Sequence, residues 1–295
     1  MGDSTSIAVV GVGAIGGTMA AALGDAGHQP LLCARTPFSH LSRSLNGETR
    51  AYAHLVCTDS GGLSPVDWVL LCTKAHQIEG AAHWLNRLIG PETRVAVMQN
   101  GVDHADRVST YVPAERVVPC IIFLPSRLES PGIVEQGRAG TVQVPDSHAG
   151  RSLADLFADQ SAVEVEPSAD FVSTVWSKLV LNAVSGAICA LAIKPLSAVA
   201  APQVRELATG LMEEIMRVGQ AEGARFPDDF VEKTIETFRG PTGGHWTSMA
   251  ADRRDGRVME WQARNAVVGE IGRRHDVPTP LNDALTALLA VTDAA

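Results

Sequence analysis

The sequence predicts a doubly wound α/β domain followed by an all-helical domain, and three observations carry that expectation. Apolar runs of strand length alternate with helical patterns through the first half, and a glycine-rich turn joins the first run to the first helix. After Pro167 the strand patterns stop and helical text fills 169–290. At about 150 residues per domain, 295 residues fit two, with the boundary expected at 167, giving domains 1–167 and 168–295.

Ile7–Val10, 30–34, 68–73, 94–98 and 117–124 are the expected strands, with helices over 14–26 and 76–88 between them. Near-continuous apolar strands separated by helices imply a parallel sheet covered on both faces. Around 131–144 the text turns alternating and glycine-punctuated, which predicts an antiparallel edge extension of that sheet. A helix over 153–159 and a strand at Val163-Glu-Val-Glu follow. The helical half is broken at Pro195, Pro202, Gly223, Pro227, 240–244 and Pro278, and the Gly-Pro-Thr-Gly-Gly text at 240–244 reads as a mobile loop.

Composition narrows the function. With 45% apolar and 19% charged residues the chain reads as soluble and globular. Its longest apolar runs, such as 69–72 and 187–193, fall short of the roughly 18 residues that span a bilayer, so no membrane association is expected. A net charge of −9 and the lack of a basic run argue against nucleic acid as a partner. Cys33, Cys57, Cys72, Cys120 and Cys189 are widely spaced and odd in number, which reads as reduced thiols in a cytoplasmic protein with no metal site. The opening Met-Gly-Asp-Ser-Thr-Ser fits an acylation pattern and equally a short polar tail. No charged-then-apolar leader precedes Ile7.

Gly11, Val12, Gly13, Ala14, Ile15 and Gly16 spell G-x-G-x-x-G between a strand and a helix, the context in which this motif binds a dinucleotide. Gly11 permits the tight turn, Gly13 lets backbone approach a pyrophosphate, and Gly16 lets helix and strand pack closely. The second strand ends in Arg35, where an NAD-binding fold would carry an acid. A guanidinium there suits the 2′-phosphate of NADPH, against the plainer reading of a solvated loop charge. Lys74 and Asn100 each follow a strand at the carboxyl edge of the sheet, where they either face the nicotinamide or serve turn chemistry. Only four of the 24 basic residues are lysines, and Lys178 lies four residues before Asn182 on an otherwise apolar helix. A cation so placed needs a partner, and Glu260, on what reads as another helix, is the candidate. A Lys–Glu pair near a hydride donor can protonate a nascent alkoxide, and it can also be an ordinary interhelical ion pair.

In the order and spacing of these motifs, together with Trp176-Ser-Lys178-Leu-x-x-Asn182, Ser248-Met with Asp252, and Gly256-Arg257-x-x-Glu260 with Asn265, the chain resembles the ketopantoate reductase family. The resemblance covers nearly the whole chain. It implies a Rossmann domain, a helical C-terminal domain, the cofactor NADPH and a small 2-oxo acid substrate. The implied activity is reduction of ketopantoate (2-dehydropantoate) to pantoate, a step of pantothenate synthesis. By that resemblance Lys178 is the general acid, Glu260 orients substrate and lysine, and Asn182 and Ser248 hold the substrate. Asn100 and Lys74 sit at the cofactor and the reacting carbonyl, and Arg35 takes the 2′-phosphate. Helical second domains of this kind pack as dimers, which leaves a homodimer open.

The chain departs from the family text at Gly186, where a second substrate-contacting Asn is usual. It departs again at Met259-Glu260-Trp261-Gln262, where Thr-Glu-x-Asp is usual. Losing a polar partner can change discrimination by orders of magnitude, so a different 2-oxo acid remains open. Trp261 either marks a more apolar substrate or fills the core. A β-hydroxyacid dehydrogenase, whose lysine and asparagine are usually three apart, and a non-catalytic NADPH-binding sensor are the alternatives.

Overall fold

Apolar residues alternating between two faces make the N-terminal strands sheet-forming, and each connecting segment returns the chain to the same edge. The computed structural model describes residues 5–293. Part of the Met-Gly acylation pattern therefore lies outside the described residues. Strand β1 (Ile7–Val10) leads through the glycine turn into α1 (Ala14–Asp25), followed by β2 (Leu31–Cys33), β3 (Leu41–Leu45), β4 (Glu48–Tyr52), β5 (Val56–Cys57) and β6 (Trp68–Leu71). Then come α2 (Ile78–Leu88), β7 (Arg94–Val97), α3 (His104–Val108), β8 (Val117–Pro119), β9 (Ile121–Phe123), β10 (Ser126–Ser130), β11 (Ile133–Gln136), β12 (Gly140–Pro145), α4 (His148–Asp155) and β13 (Val163–Ser168).

Six strands form one parallel sheet in the order β5-β2-β1-β6-β7-β8. Because side chains alternate along a strand, Ile7, Val9, Trp68 and Leu70 pack on one face with Met19 and Leu23 of α1. Ala8, Val10, Val69 and Leu71 pack on the other face with Trp84, Leu85 and Leu88 of α2. Both faces are covered, and the fold class is the expected one. The chain leaves β1 toward β2 on one side and returns as β6 on the other, so the turn after β1 lies at a topological switch point, where such sheets bind ligands.

The region 117–144 differs from expectation. The run 117–124 breaks into β8 and β9, which belong to different sheets, with the buried Cys120 between them. The text at 131–144 does not extend the main sheet. Instead β11 joins a four-stranded sheet ordered β10-β11-β3-β4, pairing antiparallel with β10 and parallel with β3. Strand β12 forms a third sheet with β13, parallel, and β9, antiparallel. The hairpin β3–β4 closes on Asn46 and Gly47, both at positive φ, the turn geometry that Asn-Gly favours.

The described chain divides into two compact units. Unit 1 runs to Gln99 and includes His104–Phe171; unit 2 takes in Asn100–Asp103 and continues from Val172. Unit 2 consists of α5 (Phe171–Ala192), α6 (Arg205–Ala221), α7 (Phe230–Arg239), α8 (Ser248–Arg254), a π-helical turn at Gln262–Ala266, α9 (Val267–Arg274) and α10 (Pro280–Asp293). Helix α5 is 22 residues long and apolar enough to cross a membrane by length and composition, which counting contiguous apolar runs overlooked. It is instead the central helix of unit 2, with Trp176, Leu179, Val180, Val184 and Ala187 buried. Trp176 packs against Gly219 of α6, and the Ala183 carbonyl accepts from Asn265 Nδ2 at 3.3 Å. Asn265 and Asn282 bond each other, and buried Glu214 accepts from the amides of Leu281 and Asn282, which caps α10 with a carboxylate.

Candidate active site

In unit 1 the glycine turn has the shape a pyrophosphate requires. Gly11 has φ +93°, its amide donates to the Cys33 carbonyl at 3.0 Å, and a Cβ on it would meet Thr73 at 2.8 Å. A Cβ on Gly16 would lie 2.0 Å from the Gly11 carbonyl, so only glycine lets α1 leave the turn this closely. Gly13 differs, since a Cβ there would meet nothing within 4 Å. The open space over Gly13 adjoins the first turn of α1, whose N-terminal amides have no side-chain cap. Val12, Ala14 and Ile15 complete the turn. Arg35 is exposed just beyond β2 and has no partner among the described residues. These residues could hold a dinucleotide carrying a 2′-phosphate. Lys74 follows β6, where its amide donates to Gln77 Oε1 at 3.3 Å, so it does start a turn and its side chain is half-buried beside it. Among the described residues there is no His, Cys, Asp and Glu cluster able to hold a metal.

The second cluster lies in unit 2. Lys178 and Asn182 stand one turn apart on α5, and Asn182 Nδ2 donates to Asn100 Oδ1 at 3.3 Å. Asn100 Nδ2 in turn donates to Glu260 Oε2 at 3.1 Å. Asn100 is held in place by its neighbour Gln99, whose amide donates to Thr73 Oγ1 and whose side-chain carbonyl accepts from Arg107. Glu260 is 6% exposed. It is not helical as expected: it stands in the irregular segment just before the π-helical turn. That segment is pinned by Arg257, whose Nε donates to buried Asp252 Oδ1 at 3.0 Å.

Sequence reasoning missed one member, Arg264. Its side chain is 4% exposed, its Nη2 donates to Ser248 Oγ at 2.8 Å, and the same nitrogen lies 3.5 Å from Glu260 Oε2. The signal was present, since Glu260 and Arg264 are four apart, the spacing that joins side chains on a helix. A π-helical turn at this point is common at functional sites. Glu260 thus has an ionic partner in Arg264 that the sequence reading did not supply. Burial, and after it the nearby Arg264 charge, push the Lys178 ammonium down to about 8. Asn265 is structural, bonded to Ala183 and Asn282. Trp261 is tied to the end of α10, its Nε1 donating to Asp293 Oδ2 at 2.8 Å. The five cysteines are free, and burial pushes the Cys33 and Cys189 thiols up to about 12, as befits unreactive core thiols.

This arrangement can bind an anion and deliver a proton, and comparison with known proteins gives it a context. Residues 7–148 match the family described as Ketopantoate reductase PanE/ApbA, and residues 170–293 match Ketopantoate reductase PanE/ApbA C terminal. The chain is 39% identical to the 2-dehydropantoate 2-reductase of Caulobacter vibrioides over 97% of its length and 98% of that protein. It is 35% identical to the 2-dehydropantoate 2-reductase of Mycobacterium tuberculosis, over 97% of each chain. Among solved structures it is similar to the 2-dehydropantoate 2-reductase of Geobacter metallireducens, with a TM-score of 0.88 and 25% identity over 97% of this chain and 99% of that one. With both halves matched and relatives aligned end to end, the chain belongs to the ketopantoate reductase family of oxidoreductases.

Proposed function

We propose that this enzyme reduces ketopantoate to pantoate with NADPH, using Lys178 as the general acid. The observation that carries the reading is the side-chain cluster of unit 2, where Asn182, Asn100, Glu260, Arg264 and Ser248 are linked beside a lysine whose proton burial has loosened. The curated relatives named for this reaction support the substrate.

The turn at Gly11, Val12, Gly13, Ala14, Ile15 and Gly16 and the first amides of α1 take the cofactor pyrophosphate. Arg35 takes the 2′-phosphate, and Lys74 and Asn100 take the nicotinamide end. When bound, NADPH supplies a hydride to the 2-oxo carbon. As that carbon is reduced, the carbonyl oxygen gains negative charge and accepts the proton from Lys178 Nζ. A lysine at about 8 is still mostly protonated at neutral pH, yet parts with its proton at less cost than an ordinary lysine. Glu260, fixed by Asn100 and Arg264, orients lysine and substrate. Asn182 and Ser248 hold the polar groups of the substrate.

The test is NADPH oxidation by purified protein with ketopantoate and a panel of other 2-oxo acids, beside Lys178→Ala. Ketopantoate is expected to be the fastest substrate, with turnover falling by roughly 10²-fold or more in the variant. A faster panel member would move the substrate and keep the chemistry. NADPH binding with no oxidation of it in the presence of any 2-oxo acid would leave a sensor.

A further inference from the structure

We propose that Arg264 is the specificity-determining anion seat of this enzyme, its guanidinium, which stands beside Gly186, binding the carboxylate of the 2-oxo acid. The inference rests on the 2-oxo acid reduction proposed above and names the group that selects the acid.

A buried guanidinium needs acceptors for its five N–H groups, and Arg264 is undersupplied. Nη2 has Ser248 at 2.8 Å, and the one carboxylate paired with it among the described residues, Glu260, stands at 3.5 Å, beyond the roughly 2.7–2.9 Å of a charge-assisted hydrogen bond. Nε is buried with no acceptor among the described residues. Nη1 lies against Gly186, where an added Cβ would come within 3.5 Å of it. That is ordinary contact for a methyl group, but the amide of an asparagine would extend beyond it into the guanidinium. The flat fork of arginine fits a carboxylate through two parallel bonds, which a lysine at the same place cannot reproduce.

The experiment compares wild type, Arg264→Met and Arg264→Lys with two substrates, ketopantoate and its primary amide, which keeps the skeleton and removes the charge. Arg264→Met is expected to raise KM for ketopantoate on the order of 10²-fold, the usual consequence of removing one partner of a buried ion pair. Its kcat/KM for the amide should fall much less steeply, by about tenfold at most, because the support given to Glu260 is lost for both substrates and the charge only for the acid. Arg264→Lys should recover only part of the acid preference. Gly186→Asn should weaken ketopantoate binding in the wild type and restore part of it when combined with Arg264→Met. Equal losses for acid and amide, or an unchanged KM for ketopantoate, would overturn the proposal. If the wild type oxidised no NADPH, the function proposed above would fail on its own, and calorimetry with pantoate would still decide here. Binding lost in Arg264→Met, or in Arg264→Lys should the first not fold, supports the seat; equal binding overturns it.

Discussion

Replacing Lys178 with methionine should cost this enzyme its activity and make it more stable. The ammonium of Lys178 has been pushed from an ordinary 10.5 to about 8, chiefly by burial and then by Arg264. A lowered lysine binds its proton less well folded than unfolded, so between about pH 8 and 10.5 the unfolded chain holds more protons and stability rises with pH. Below pH 8 the full penalty is in force. At 1.36 kcal/mol per pH unit it amounts to about 3 kcal/mol. Lys178→Met keeps the length of the side chain and removes the charge, so it should raise the melting temperature at pH 7 by roughly 6–12 °C. The gap should close as the pH passes 10. Turnover with ketopantoate should fall by roughly 10²-fold or more in the same variant. The assay is thermal unfolding of both proteins at pH 7 and pH 10.5. A variant less stable than wild type at pH 7, or a gap of the same size at both pH values, would refute the claim that unit 2 stores a desolvated ammonium for catalysis.

Arg35→Ser should raise KM for NADPH by about 10- to 100-fold and leave NADH unchanged, since only one of them has a phosphate to lose; equal effects on both would remove Arg35 from the 2′-phosphate. Gly13→Ala places its methyl in open space, so the apo protein should melt as wild type does while NADPH binding measured by fluorescence weakens; unchanged binding would argue that no pyrophosphate approaches Gly13. Gly16→Ala, by contrast, drives a methyl against the Gly11 carbonyl and should cost about 3 kcal/mol in urea unfolding. Trp261→Phe loses its bond to Asp293 and should cost about 1 kcal/mol with no change in the ranking of 2-oxo acids; a changed ranking would return Trp261 to the substrate site.

What was readable in the sequence follows from how local each signal is. Strands buried on both faces announce themselves as apolar runs, and the glycines at 11, 13 and 16 mark a turn whose geometry depends on their own missing side chains, so the main sheet and the dinucleotide turn were legible. Strand pairing across long separations was not. Nothing in Leu41–Leu45 says that it will lie between Glu48–Tyr52 and Ile133–Gln136, although Asn46-Gly47 is a strong local hairpin signal that was there to be read. The same limit applied at the candidate site. Lys178 and Asn182 share one helix and could be paired by spacing, whereas Glu260 meets Asn100 from 160 residues away. A π-helical turn has no sequence period of its own, and it is what carries Arg264.

The departures from the family text are not equivalent once the side chains are placed. Met259 is 1% exposed, and its amide, like the Trp261 indole, donates to Asp293 at the end of α10, so both residues secure the segment that carries Glu260. Gln262 is exposed and bonds to no side chain of the cluster. Of the three departures, Met259 thus adjusts the support of the carboxylate, and Gln262 stands away from it. Gly186 is the exception, because it adjoins the Arg264 guanidinium directly. The asparagine usual in the family is absent from α5 there, and the buried guanidinium carried by the π-helical turn stands beside the position. If Arg264 is the anion seat proposed above, its fixed charge strengthens selection for a carboxylate, while the missing amide relaxes selection for a hydroxyl. The side chain of the 2-oxo acid is then where this enzyme should tolerate variation, and its carboxylate is where it should not.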